Sequence, residues 1–233
     1  MNAQDHTRDI RRTANIVAFA AMALVNVLSN ALPFNDLTAE EVTRQFDALF
    51  VPAGYAFAIW GLIYVGLVAF VTYQALPSQR DNARLRKIGW AFVLSCIANA
   101  TWLLAWHYQQ FVLSVGIMVL LLISLITIYL RLKIGRAEVP APERWAVDAP
   151  FSLYLGWITV ATTVNVATTL DYLGWNGWGL SDQIWTIVLL IVVESLAATV
   201  SFTRTDIAYQ LTLVWAVAAV AVENAGTRTV PII

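Results

Sequence analysis

The segment LYLGWITVATTVN, residues 153–165, places polar and aromatic side chains inside a long apolar run. It contains Tyr154, Trp157, Asn165 and three threonines at positions where a membrane helix usually carries Leu, Ile or Val. Hydrogen-bonding side chains are costly next to lipid, so they usually face a neighbouring helix or a cavity. The segment therefore predicts a membrane helix with one face that lines a ligand pocket.

The composition of the chain places this helix in an integral membrane protein. Hydrophobic residues make up 59% of the 233 residues and charged residues 12%, and the charges lie between long apolar runs. Such segments cross a bilayer as helices, because lipid satisfies no backbone hydrogen bonds. The sequence predicts an all-α protein with seven transmembrane helices. The predicted spans are residues 14–32, 53–76, 88–107, 111–132, 149–171, 184–202 and 206–224.

The basic residues indicate how these spans are oriented. Of the 14 Lys and Arg residues, all but Arg44 and Arg228 fall on one side of the predicted spans. Cytoplasmic loops carry the excess of Lys and Arg in membrane proteins. We therefore expect a multi-pass protein of the cell (cytoplasmic) membrane, with the N-terminal tail, residues 1–13, in the cytoplasm and the C-terminus outside.

The sequence contains no motif for phosphate binding, metal binding or nucleophilic catalysis. We find no Gly-rich phosphate loop, no set of residues at metal-ligand spacing and no Ser-His-Asp candidate. His107 could ligate a haem iron, but a single His at a membrane boundary is more often an interfacial polar residue. We predict no metal site, no catalytic residue, no required cofactor and no nucleic-acid partner.

Aromatic and amide side chains recur instead in three of the predicted spans. A planar apolar ligand suits such a surface, because rings stack on Trp while Asn and Tyr orient the ligand. The alternative is that Asn99 and Asn165 join helices by hydrogen bonds while the Trp side chains fill the core. The candidate pocket residues are Tyr55, Trp60, Tyr64, Asn99, Trp102, Trp106, His107, Tyr154, Trp157, Ala161 and Asn165.

Glu194 is the only acidic residue near the centre of a predicted span. A carboxylate there costs about 2.5–3.5 kcal/mol, so it is paired, hydrated or protonated. One interpretation is a neutral Glu bonded to Ser195, Thr199 or a neighbouring helix. The other is a secondary transporter for a small hydrophobic or anionic solute, with Glu194 as its protonatable group. In that case the first outer loop, residues 33–51, is a candidate lid, with a short helix capped by Thr38.

Three groups of residues resemble the tryptophan-rich sensory protein family, which is the bacterial TspO and mitochondrial translocator protein family, also called the peripheral benzodiazepine receptor. The resemblance covers roughly residues 14–172. It divides the chain into a TspO-like five-helix membrane domain, residues 1–172, and an additional two-helix segment, residues 173–233. The matching residues are Pro52-Ala53-Gly54-Tyr55 before Trp60 and Tyr64, Asn99-x-x-Trp102, and Tyr154-Leu155-Gly156-Trp157 followed by Ala161-Thr162-Thr163-Val164-Asn165.

The resemblance implies a pocket for porphyrins, haem-like tetrapyrroles, sterols or drugs below the first loop, in a protein that senses or handles its ligand. It implies that Trp60 and Trp157 line this pocket, that Asn99 and Trp102 support it, and that Ala161 leaves room for the ligand. Some members break down porphyrin in light, and members are often dimeric, so the resemblance allows both properties here. The sequence departs from the family at Tyr55 and His107, which replace a Trp and a Phe.

Overall fold

The computed structural model describes residues 3–32, 35, 37, 39–43, 45 and 51–225, and this part of the chain is helical without a strand. The all-α prediction is therefore confirmed. The long helices in the described residues are α1 (Ala3–Ala31), α2 (Ile59–Ala75), α3 (Ala91–His107), α4 (Phe111–Arg131), α5 (Ala149–Tyr172), α6 (Asp182–Thr203) and α7 (Ile207–Ala225).

Six helical segments in the described part of the chain are long and apolar enough to cross a membrane, by length and composition. They contain all of the long helices except α3, which is apolar but has 17 residues. At about 1.5 Å per residue, α3 is somewhat shorter than a bilayer core of about 30 Å. The protein is thus a multi-pass membrane protein, while the exact number of seven spans stays a prediction.

The helix boundaries agree with the predicted spans except at two places. Helix α1 begins at Ala3, because the polar residues before its apolar run contain no Gly or Pro and continue the helix. Helix α2 begins later than predicted, at Ile59, after a 3₁₀ turn over Gly54–Ala58. Before that turn, the backbone N–H of Ala53 donates to the carbonyl of Ala219 in α7, at 3.0 Å.

Helix α5 lies at the centre of the bundle and is the most buried of the candidate spans. It contacts α2, α4, α6 and α7, while α1 packs against α2 and α3. Helix α6 makes few contacts with α5 and α7 and leaves most of its surface exposed. The polar segment of residues 153–165 is therefore surrounded by other helices.

Helix α7 is an integral part of this packing. A side chain at Gly156 of α5 would lie only 2.9 Å from Cβ of Thr212, so the two helices approach closely there. At the start of α7, the carboxylate of Asp206 accepts hydrogen bonds from Tyr129 of α4 and Ser152 of α5, both at 2.7 Å. The C-terminal helix is thus joined to α4 and α5 by buried polar contacts.

The basic loops meet at one end of the bundle. Arg84, between α2 and α3, forms ion pairs with Glu143 at 2.7 Å and Asp148 at 2.6 Å, just before α5. Arg204, between α6 and α7, donates to the carbonyl of Ile134 at 2.7 Å. The loops that the sequence analysis assigned to the cytoplasm therefore share one end, which we call the basic end.

Candidate ligand-binding site

A cavity of about 220 Å³ lies among α1, α2, α3 and α5, towards the end opposite the basic end. Its wall is mostly apolar and aromatic. Thr43, in the short helix Ala39–Thr43 of the first outer loop, also lines it. Thr38, the predicted cap of that helix, lies outside the described residues. The predicted pocket residues that line the cavity are Trp60, Tyr64, Trp102, Trp106, Trp157, Ala161 and Asn165.

The tryptophan rings contact one another and form one aromatic wall. Trp60 stacks on Tyr64 and Trp102, with ring centroids 5.6 and 6.4 Å apart. It meets Trp157 edge to face at 6.3 Å, and Trp102 stacks on Trp106 at 6.0 Å. Such contacts fix the orientation of each ring. The wall therefore presents rigid aromatic surface from three helices.

A chain of hydrogen bonds begins at Tyr64 and Asn26, which line the cavity, continues behind the wall and connects four helices. The hydroxyl of Tyr64 donates to Oδ1 of Asn26 at 2.5 Å, and Nδ2 of Asn26 donates to Oδ1 of Asn99 at 2.8 Å. Nδ2 of Asn99 in turn donates to the hydroxyl of Tyr154 at 2.9 Å. Asn99 and Tyr154 are fully buried and do not line the cavity. Their role in the structure is to hold α1, α2, α3 and α5 together.

Asn165 combines a place in the wall with a helix contact. Its side chain lines the cavity and exchanges hydrogen bonds with the hydroxyl of Ser114 in α4, at 3.1 and 3.2 Å. The two readings of the Asn residues are therefore not exclusive. Asn99 joins helices, and Asn165 both joins helices and borders the cavity.

Two polar atoms in the aromatic wall have no partner. The indole Nε1 atoms of Trp102 and Trp157 are buried and form no hydrogen bond with any residue that the structure describes. Leaving a buried donor unpaired costs about 1–3 kcal/mol. Both side chains line the cavity, but neither Nε1 atom is itself accessible from it, so an acceptor atom of a bound molecule would pair with these donors only after the rings turn.

Two predicted pocket residues lie elsewhere. Tyr55 belongs to the turn before α2 and is 47% exposed. Its ring packs edge to face against Trp215 of α7, with ring centroids 5.3 Å apart. His107 is buried at the end of α3, where Nδ1 lies 2.8 Å from the carbonyl of Leu103. Neither residue lines the cavity. In the part of the chain that the structure describes, no cluster of His, Cys, Asp and Glu could hold a metal ion.

Glu194 lies on the exposed surface of α6 and does not line the cavity. Its two predicted partners bond their own helix instead: Ser195 donates to the carbonyl of Ile191 at 2.6 Å, and Thr199 donates to that of Ser195 at 2.8 Å. The carboxylate therefore has no place in the cavity.

Several residues of this site were not predicted from the sequence. The most important is Asn26, which borders the cavity and connects Tyr64 to Asn99. Asn99 and Asn165 were predicted because each is an Asn within an apolar span, and the same signal identifies Asn26 in α1. Phe57, Leu103, Val160 and Val164 also line the cavity, but apolar residues in apolar helices give no such signal.

A comparison with protein families found a match to a family described as TSPO-like protein, over residues 12–233. The match includes α6 and α7 as well as the five helices before them. No curated protein and no solved structure matched the chain.

Proposed function

Because the chain belongs to the TSPO-like protein family, we propose that it binds a planar hydrophobic small molecule in the cavity among α1, α2, α3 and α5. The observation that supports this proposal is the aromatic wall with two unpartnered indole donors. The protein would act as a sensor or handler of this ligand. It needs no cofactor for this role, and porphyrin or haem is a candidate ligand.

The wall favours a flat ligand. Trp60, Trp102 and Trp106 are stacked within 30° of their neighbours, with interplanar angles of 27° and 26°. Trp157 stands nearly perpendicular to Trp60, at 83°. Flat rings gain most from contact with such faces and edges. Small-molecule sites typically combine this apolar lining with a few orienting polar groups.

The polar groups indicate which atoms the ligand carries. The indole N–H groups of Trp102 and Trp157 only donate hydrogen bonds, so they select acceptors such as carbonyl, carboxylate or imine atoms. Asn165 and Asn26, which also line the cavity, are already engaged by Ser114, Tyr64 and Asn99. We therefore expect an aromatic or conjugated ring system, in which an acceptor atom near the edge would pair with an indole N–H that turns toward the cavity.

The volume of the cavity limits how a large ligand binds. About 220 Å³ lies below the range of about 300–1,000 Å³ of typical ligand pockets. A tetrapyrrole needs more space than this. Part of its ring would extend out of the cavity past Thr43 and Pro52, two lining residues from the segment that joins α1 to α2. A smaller ring system would fit within the cavity.

The proposal includes the setting of the site. The apolar helices place the protein in a lipid bilayer, and we propose the cell membrane, seven spans, an N-terminus in the cytoplasm and a C-terminus outside. Residues 1–172 would form the ligand-binding part, and α6 and α7, which the family match includes, would pack on it. A homodimer is the assembly that the family resemblance allows.

Titration of the purified protein with protoporphyrin IX, followed by Trp fluorescence, tests the proposal. We expect saturable quenching that is strongly reduced when Trp60→Phe and Trp157→Phe are combined. The matched control combines Trp90→Phe and Trp145→Phe, because these side chains are 52% and 74% exposed and do not line the cavity. Quenching that does not saturate, or that both pairs of substitutions reduce equally, would contradict the proposal.

The transporter alternative rests on Glu194. It requires that Glu194→Gln abolish flux of the solute in vesicles while the protein stays folded. The exposed position of Glu194 on α6, outside the cavity, gives this alternative no support. We expect Glu194→Gln to leave the affinity for protoporphyrin IX unchanged, and a loss of affinity would favour the alternative.

Light-dependent breakdown of porphyrin is a possible activity of the same site. Illumination of the porphyrin complex would then consume the ligand faster than free porphyrin mixed with an unrelated Trp-rich protein. The Trp60→Phe and Trp157→Phe pair should remove this excess. Equal bleaching in all samples would rule out the activity.

A further inference from the structure

A second, smaller pocket lies at the basic end, between the start of α1 and the segment that joins α2 to α3. It encloses about 40 Å³, which is room for a few water-sized groups and too little for a drug-sized molecule. Among the residues that the structure describes, four arginines and no Asp or Glu line it. The charged and polar lining residues are Arg11, Arg12, Asn15, Gln74, Gln79, Arg80, Asn82 and Arg86.

Much of the positive charge that the described residues bring to this pocket is not paired, although Glu143, which pairs with Arg84, also accepts a hydrogen bond from the lining residue Asn82 at 3.0 Å. Arg80 forms an ion pair with Asp9 at 2.8 Å. Among the residues that the structure describes, Arg11, Arg12 and Arg86 have no carboxylate partner. Arg12 donates instead to the backbone carbonyls of Gln74 and Leu76, which fixes its guanidinium at the pocket. Such a group of arginines attracts an oxyanion.

A pair of buried amides at the pocket carries the argument further. Asn15 and Gln74 are 6% and 4% exposed, and Nδ2 of Asn15 donates to Oε1 of Gln74 at 2.9 Å. Oδ1 of Asn15 and Nε2 of Gln74 have no partner in the described part of the protein. If both amides were flipped, one donor and one acceptor would still remain unpaired. Neither atom is itself accessible, so a protonated or hydrated phosphate oxygen would pair with them once the amides turn toward the pocket that they line.

The position of the pocket indicates the source of the oxyanion. Asn15 lies near the beginning of one candidate span, Asp9–Ser29, and Gln74 near the end of another, Gly54–Ala75. Both therefore lie where the apolar helices meet the polar boundary of the bilayer. Basic pockets between membrane helices at this level bind anionic lipid head groups.

We propose that this pocket binds the phosphate group of an anionic lipid. The small volume accommodates the phosphate alone, so the glycerol and acyl chains would lie outside the pocket along α1 and α2. Arg11, Arg12 and Arg86 supply the charge, and the buried amides of Asn15 and Gln74 supply the remaining hydrogen bonds. The same chemistry would accept a free phosphate ion, which the experiment distinguishes.

Native mass spectrometry of the full chain in detergent tests this proposal, with phosphatidylglycerol, phosphatidylcholine and inorganic phosphate as separate probes. We expect phosphatidylglycerol to bind in preference to phosphatidylcholine. Combined Arg11→Gln and Arg86→Gln should weaken this binding about tenfold or more, because two charge-assisted contacts are lost. The control, Lys133→Gln with Arg144→Gln, removes the same charge from two exposed positions at the basic end and should have little effect.

A second variant separates a defined site from general attraction of charge. Combined Asn15→Leu and Gln74→Leu removes both unpaired amide atoms without changing the charge, and replacing both partners of a buried hydrogen bond is often nearly neutral for folding. We expect unchanged Tm without lipid and weaker binding of phosphatidylglycerol. Equal effects of both charge variants, or no preference for the anionic lipid, would overturn the proposal. If inorganic phosphate raises Tm as much as the lipid does, and only when the pocket is intact, the site binds phosphate from solution.

Discussion

Nδ2 of Asn26 in α1 donates a hydrogen bond to Oδ1 of Asn99 in α3 across 2.8 Å, and both side chains are buried. This contact lies in the middle of the chain of hydrogen bonds from Tyr64 to Tyr154. The four helices that surround the cavity are therefore held by polar contacts in an apolar setting. The aromatic wall rests on these contacts, so stability and ligand binding should be coupled.

Substitution of Asn99 tests the chain of hydrogen bonds from Tyr64 to Tyr154. We expect Asn99→Ala to destabilise the protein by about 1–3 kcal/mol, because Asn26 and Tyr154 each lose a buried partner. In a double-mutant cycle with Asn26→Ala, the coupling energy should be about 0.6 kcal/mol or more. Unfolding in detergent measures both quantities. Thr101→Ala is the control, because Thr101 is exposed and bonds its own helix; additive effects of the two Asn substitutions would contradict the coupling.

The close approach of α5 and α7 predicts a cost for a single methyl group. Gly156→Ala would place Cβ 2.9 Å from Cβ of Thr212, and overpacking of this kind costs about 1–3 kcal/mol. Gly61→Ala and Gly116→Ala are controls, because nothing lies within 4 Å of the added Cβ. These should be neutral or stabilising, since Ala favours a helix over Gly. Equal Tm shifts for all three variants would show that α7 does not pack on α5 in this way.

The ion pairs at the basic end should differ greatly in their contribution to stability. Glu143 and Asp148 are 6% and 7% exposed, so Arg84→Gln leaves two buried carboxylates without their cation. We expect a loss of about 3–5 kcal/mol. Arg80→Gln breaks the exposed pair with Asp9 and should cost at most about 1 kcal/mol. Chemical denaturation compares the two, and similar losses would contradict the burial of the Arg84 network.

The proposed orientation can be tested with single cysteines in intact cells. Ser78 at the basic end and Gln110 between α3 and α4 are both exposed, whereas the natural Cys96 is buried. A membrane-impermeant maleimide should label Gln110→Cys from outside, and Ser78→Cys only after the membrane is permeabilised. The reverse pattern would place the N-terminus outside.

The sequence predicted the helices well, because each long apolar run has one stable form in a bilayer. Residue types and spacing singled out Trp60, Trp102 and Trp157, and the family resemblance then predicted Trp60 and Trp157 in the pocket with Trp102 supporting it. Contacts between distant segments were not predictable in this way. The backbone bond from Ala53 to Ala219 and the packing of Trp215 on Tyr55 depend on how α7 docks, and no local pattern encodes that. The role of Asn26 required knowing which helix lies beside α3.

The most direct measurement identifies the molecules that co-purify with the protein and with Ala161→Leu. Ala161 lines the cavity, so a larger side chain there should exclude the ligand, and Ala198→Leu on the exposed face of α6 is the control. The Tm of each protein is measured first, to show that all three are folded. Extracts from equal amounts of the three proteins are then compared by mass spectrometry. We predict that a planar hydrophobic molecule with acceptor atoms accompanies the unchanged protein and Ala198→Leu but is absent from Ala161→Leu. Extracts with the same small molecules in all three would contradict ligand binding in this cavity.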